Sequence, residues 1–179
     1  MEENEIAKEI ERLAKELYFE REKKKAFVPG KTRVRFDGDV YDENEMAARV
    51  RSVLPDWITL GENDLKFRED FSKFMGVKHV VLANSGSSAN LLAISALCAK
   101  AFPHRLRPGD EVITPACTFP TTLNPILFNR LTPVFMDVEL GTYNIDASLL
   151  EEAVSDRTKA VFIPHTLGNP NEMDKVTKV

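Results

Sequence analysis

The chain has 179 residues, 43% of them hydrophobic and 29% charged, with a net charge of −4, the make-up of one ordinary globular domain or part of a larger one. The acidic balance argues against a nucleic-acid surface. No apolar run reaches the ~18 residues of a membrane span, and the acidic start Met1-Glu2-Glu3-Asn4-Glu5 is unlike a secretory signal.

Along the chain, Ile6, Ile10, Leu13 and Leu17 recur at helical spacing through a charged segment over residues 5–24. Lys23-Lys24-Lys25 is the only basic run and suits the negative end of that helix better than a polyanion. Phe27-Val28-Pro29-Gly30-Lys31 marks a turn. Asp42 is placed to cap a second helix with Met46, Val50, Val53 and Leu54 inward, stopped by Pro55. Leu65, Phe67, Phe71, Phe74 and Met75 predict a third helix, closed by Gly76. Residues 1–76 therefore read as an N-terminal helical arm leading into a larger domain.

From residue 79 the pattern changes. Strands are predicted at 79–83, 111–114, 133–137 and 160–164, with helices near 88–102, 120–129 and 147–154. Such alternation predicts an α/β fold with a mainly parallel sheet and right-handed crossovers. The turn Arg107-Pro108-Gly109-Asp110 feeds the second strand, and residues 173–179 read as a helix cut short. Residues 77–179 are thus expected to be a partial, truncated α/β domain with an unfinished sheet.

The most informative segment is Asn84-Ser85-Gly86-Ser87-Ser88-Ala89-Asn90, between an apolar strand-like run and an apolar helix-like run. A helix start there offers free N–H groups, the dipole and serine hydroxyls to an anion, most simply a phosphate. An ordinary Ser N-cap is the alternative. The segment is neither a P-loop nor a dinucleotide fingerprint. Ligands of open α/β sheets bind beyond the carboxyl ends of the strands. The segments predicted there carry Phe119, His165 and Asn169. Phe119 is either an aromatic plate for a flat ring or a core residue. His165 is an acid, a base, a donor or a structural group, and Asn169 beside Gly168 is a ligand contact or a turn residue. Cys117 reads as a small buried filler. Cys98 and Cys117 have neither disulfide-framework nor metal spacing, and the three histidines are far apart, so no metal site is expected and a reducing cytoplasm is the simplest setting. No nucleophile–base pair is visible, so any chemistry would come from a cofactor.

Taken in order, the segments 84–93, 108–115, 118–122, 133–146 and 165–170 resemble the DegT-type sugar aminotransferases, of pyridoxal-phosphate fold-type I architecture. Within that family, Phe27-Val28-Pro29-Gly30-Lys31 and Val40-Tyr41-Asp42-Glu43 resemble the subgroup of CDP-4-keto-6-deoxy-D-glucose 3-dehydrases. The resemblance implies the N-terminal part of a fold-type I large domain, with pyridoxal or pyridoxamine 5'-phosphate as cofactor. Gly86 and Ser87 match phosphate-binding positions, Phe119 the aromatic that stacks on the pyridine ring, and His165 and Asn169 a segment lining the pocket.

It also implies what these residues lack. The family's Asp partner of the pyridine nitrogen, its Schiff-base Lys (His in the dehydrases) and the cysteines of a [2Fe-2S] cluster match nothing here. Lys175 and Lys178 are not at the Schiff-base position. No catalytic residue is therefore assigned within the chain, and residues 1–179 alone are expected to be inactive. The implied function is PLP/PMP-dependent removal of the C3 hydroxyl of a CDP-linked 4-keto-6-deoxy sugar in O-antigen dideoxysugar biosynthesis. A homodimer when full length and a reductase partner go with it. A nucleotide-sugar aminotransferase and a non-catalytic fragment are the alternatives.

Overall fold

The computed structural model describes residues 2–23, 25–34, 38, 40–55 and 59–179; Lys24, in the middle of the basic run, lies outside the described residues. Two compact units form, one ending at Val80 and one beginning at Val81.

The first unit contains α1 (Glu3–Glu22), α2 (Glu43–Val53) and α3 (Glu62–Met75). Both α1 and α2 open with capping boxes. In the second, Asp42 accepts the Asn44 N–H at 2.7 Å while Glu45 accepts the Asp42 N–H at 2.7 Å, satisfying donors that a helix start leaves free. α3 closes on Gly76 at φ 66°, a left-handed conformation that glycine adopts without a Cβ clash. Lys23 and Lys25 reach back to Glu20 and Glu22, each at 2.6 Å.

α1 meets α2 through small and polar residues. Ala14 and Ala47 are the buried residues of the two helices. Arg51 pairs with Glu11 at 3.0 Å, and Lys15 donates to Asn44 at 3.0 Å. The apolar stripe Ile6, Ile10, Leu13 and Leu17 stays 38–50% exposed. The periodicity thus located the helix without identifying the face that its neighbour covers.

The second unit is built on a three-stranded parallel sheet in the order β2–β1–β3. Its strands are β1 (Glu111–Pro115), β2 (Thr132–Met136) and β3 (Thr158–Val161). The helices are α4 (Gly86–Cys98), α5 (Pro120–Phe128), α6 (Leu150–Ala153) and α7 (Met173–Val176). The central strand is buried at every position, and its alternating side chains divide the core. Val112 packs with Ile94, Leu106, Ile126 and Leu131, whereas Ile113 packs with Met136, Ile145 and Leu150. A strand covered on both faces needs this near-continuous apolar run.

Three expectations are corrected. Residues 79–83 form no strand, because the run has no ladder partner among the described residues. The last strand is Thr158–Val161 rather than 160–164; its polar start is hidden from an apolar count because the Thr158 hydroxyl bonds to Glu111 at 3.3 Å. The helix expected at 147–154 is a 3-10 turn, Ala147–Leu149, followed by the short α6.

Glu111 anchors the amino end of the sheet. Its carboxylate accepts from Ser155 Oγ at 2.6 Å and pairs with Arg157 at 2.5 Å. The Ser155 hydrogen bond, then the Arg157 charge, hold its pKa below the ordinary carboxylate value. A depressed folded-state pKa contributes stability that is complete above the unfolded value of about 4.3 and is lost as pH falls through the folded one. Glu111→Gln should therefore flatten the acid limb of the stability–pH curve in urea titrations; equal acid sensitivity in both proteins would refute this. Ile113→Ala should cost ~2–5 kcal/mol by chemical denaturation, the range for emptying a packed core site.

Candidate functional site

Ser85 caps α4: its extended backbone precedes the helix, and its hydroxyl accepts the Ser88 N–H at 3.2 Å. This consumes one of the free donors at the helix start. The N–H groups of Gly86 and Ser87 have no partner among the described residues. A Cβ built at Gly86 would meet nothing within 4 Å, and its φ is not left-handed. Neither packing nor backbone conformation therefore demands glycine there. Open space over two unpaired N–H groups at the positive end of a helix of 13 residues suits an anion the size of a phosphate.

α5 lies beside α4 for a reason written in its sequence. Pro125, inside α5, has no N–H to give to the carbonyl four residues back. That carbonyl belongs to Thr121, and Asn90 of α4 donates its side-chain amide to it at 3.2 Å. A second link joins the helices further along, from Asn129 to Ser95 Oγ at 3.2 Å. Between them runs a cleft of about 180 Å³, lined by Ser87, Ser88 and Leu91 of α4 and Thr121, Asn124, Pro125 and Phe128 of α5. Small-molecule pockets usually measure ~300–1,000 Å³, so the cleft has room for one end of a ligand.

Phe119 is the N-cap residue of α5 and is 68% exposed. It is not a core residue. It does not line the cleft, and neither do Gly86, His165 and Asn169.

His165 and Asn169 sit on the segment that follows β3. Two residues missed by sequence reasoning hold that segment. Buried Asn144 donates to the carbonyls of Asn169 and Pro170 at 3.1 and 3.0 Å and accepts the Thr166 N–H at 3.1 Å. Buried Asn171 donates its backbone N–H to His165 Nδ1 at 3.0 Å and its side-chain amide to the Pro164 carbonyl at 2.7 Å. Asn169 itself spends its side-chain amide on the Thr142 carbonyl at 3.2 Å. The signal for Asn144 was a lone polar residue between Tyr143 and Ile145; nothing local marked Asn171.

Cys117, expected as a buried filler, is exposed, since it lies in the loop beyond the end of β1. Burial pushes the Cys98 thiol above its ordinary value. Among the described residues no cluster of His, Cys, Asp and Glu is arranged to hold a metal ion, and no helix is long and apolar enough to cross a membrane.

Residues 40–179 match the model of the DegT/DnrJ/EryC1/StrS aminotransferase family, and the chain belongs to that family. It is 47% identical to the dTDP-4-dehydro-2,6-dideoxy-D-glucose 3-dehydratase of Saccharopolyspora spinosa, over 90% of this chain and 35% of that protein. It is 44% identical to the lipopolysaccharide biosynthesis protein RfbH of Salmonella typhimurium, over 98% of this chain and 40% of that one. Among solved structures, E. coli GDP-4-keto-6-deoxy-D-mannose-3-dehydratase with bound hydrated PLP superimposes with a TM-score of 0.71 at 40% identity, covering 79% of this chain and 36% of that one. The chain thus spans 35–40% of the length of these curated relatives. Its fold is the N-terminal part of a pyridoxal-phosphate fold-type I large domain.

The link between α4 and α5 is open to test. Asn90→Leu should leave the Thr121 carbonyl without a partner and cost ~1–3 kcal/mol. Ala at position 125 should restore most of that loss by returning a helical N–H to the same carbonyl. Additive effects of the two changes in a double-mutant cycle would show that Asn90 does not act through this carbonyl.

Proposed function

We propose that the chain is the cofactor-phosphate portion of a PLP/PMP-dependent dehydrase that removes the C3 hydroxyl of a CDP-linked 4-keto-6-deoxy hexose in O-antigen dideoxysugar biosynthesis. The observation that carries the reading is the start of α4, where Gly86 and Ser87 offer unpaired N–H groups into open space. The 47% identity to a protein named as a sugar 3-dehydratase favours dehydration over transamination.

When bound, the cofactor supplies an electron sink for the carbon skeleton from which the hydroxyl departs. Each residue of the chain has a simpler task. Gly86 and Ser87 would hold the phosphate through their backbone N–H groups and the Ser87 hydroxyl, helped by the α4 dipole. Phe119 would offer its exposed ring to the flat face of the cofactor and keep water from that side. The segment carrying His165 and Asn169 forms a further wall, and Asn169 contributes by shaping it through Thr142. None of these residues is assigned the acid–base steps, so residues 1–179 alone should turn over no CDP-4-keto-6-deoxy sugar. A homodimer, a reductase partner, a [2Fe-2S] cluster held outside these residues and a cytoplasmic setting belong to the same reading. The division into an arm over 1–76 and a partial cofactor domain over 77–179 belongs to it as well.

Hydrogen bonds to a charged group contribute ~1.5–3 kcal/mol each. In the full-length protein, Ser87→Ala should weaken cofactor affinity roughly tenfold or more, read by fluorescence titration with pyridoxal phosphate. Unchanged affinity would remove Ser87 from the site. Loss of one water from a CDP-4-keto-6-deoxy hexose by the full-length protein, followed by mass spectrometry, tests the reaction itself; amino transfer in its place would select the aminotransferase reading.

A further inference from the structure

The turn that follows β3 is closed by unusual backbone. Leu167 and Gly168 both have left-handed conformations, φ 54° and 84°, the first at a cost that only a surrounding clamp can hold. The clamp is Asn144, with its three hydrogen bonds to Thr166, Asn169 and Pro170. The reversal returns Asn171 to His165.

There, two N–H groups converge on one ring nitrogen. The Asn171 backbone N–H is 3.0 Å from His165 Nδ1, and the Asn171 side-chain nitrogen is 3.1 Å from it. The amide cannot be turned to offer its oxygen instead, because the Pro164 carbonyl lies 2.7 Å from the same nitrogen and requires a donor. An Nδ1 that faces donors only must be unprotonated, so the neutral ring carries its hydrogen on Nε2. Nε2 has no partner among the described residues, although His165 is exposed while Asn171 is buried.

We propose that Asn171 is a positioning residue that fixes His165 as the Nε2–H tautomer, so that this ring gives a single N–H donor to an anionic or carbonyl oxygen of the bound ligand. His165 is then a hydrogen-bond donor and not a proton acceptor at Nε2. The ligand half of this proposal rests on the function proposed above; the tautomer half does not.

The experiment is a long-range proton–nitrogen NMR spectrum of the full-length protein with ¹⁵N-labelled histidine, recorded before and after addition of pyridoxal phosphate. Expected are an unprotonated Nδ1 and a protonated Nε2 for His165 in the free protein, and a shift confined to Nε2 on adding the cofactor. In Asn171→Asp, a carboxylate next to Nδ1 replaces a donor, which should draw a proton to Nδ1 and lower cofactor affinity several-fold. A Nδ1–H ring, or the tautomer mixture of free imidazole, in the wild-type chain overturns the proposal without any variant having to fold. Cofactor that binds by fluorescence yet leaves Nε2 unmoved overturns the donor role. Cofactor that does not bind at all counts against the proposed function, and Asn171 is then judged by the free-state tautomer alone.

Discussion

The candidate site depends on a missing hydrogen bond. Pro125 removes one rung from α5, and the carbonyl it strands on Thr121 is taken by Asn90 on the second turn of α4. An unpaired buried carbonyl is costly and a paired one is not, so the defect in one helix becomes a reason for the other to lie beside it. With α4 fixed in this way, its unpaired N–H groups open next to the helix that Phe119 begins. The candidate anion site lies on one helix, and the backbone constraint beside it lies in the helix that Phe119 caps.

Local signals were legible in the sequence, and this is why the start of α2 and the end of α3 were found. Asp42 caps α2, and Gly76 closes α3 in the left-handed conformation; each depends on chemistry within a few residues. The fully buried β1 announced itself by Val112 and Ile113. What was not legible depends on partners far along the chain. Residues 79–83 have the composition of a strand, but a strand exists only when a neighbour pairs with it. The Ile6–Leu17 stripe has the spacing of a buried face, yet α2 covers the side with Ala14. Composition reports what a segment would bury, not what arrives to bury it.

The same distinction applies to the site. The helix start at Gly86 and Ser87 was readable because its signal is local. Phe119 was readable as an oddity, and its exposure takes it out of the core. Asn144 and Asn171 were not readable, because their partners lie 22–26 and 6–7 residues away and no periodicity records such reach. They make the 164–171 turn a fixed object, which a loop with left-handed Leu167 would not be unaided.

The two ends of the sheet differ in how completely their polar groups are satisfied. At the amino end, Glu111 is buried yet fully engaged by Ser155, Arg157 and Thr158. At and beyond the carboxyl ends of β1 and β3 the accounting does not close. Thr114 Oγ1, Thr118 Oγ1, Thr166 Oγ1 and Asn171 Oδ1 are buried without a hydrogen-bond partner among the described residues. Folded proteins leave few such groups unpaired, and each costs ~1–3 kcal/mol when nothing compensates. All four belong to the side of the sheet where open α/β folds take their ligands. Stability gathered at one end and on the two apolar faces of β1 is thus set against unspent hydrogen-bonding capacity at the other, which is what a surface built to receive polar partners requires.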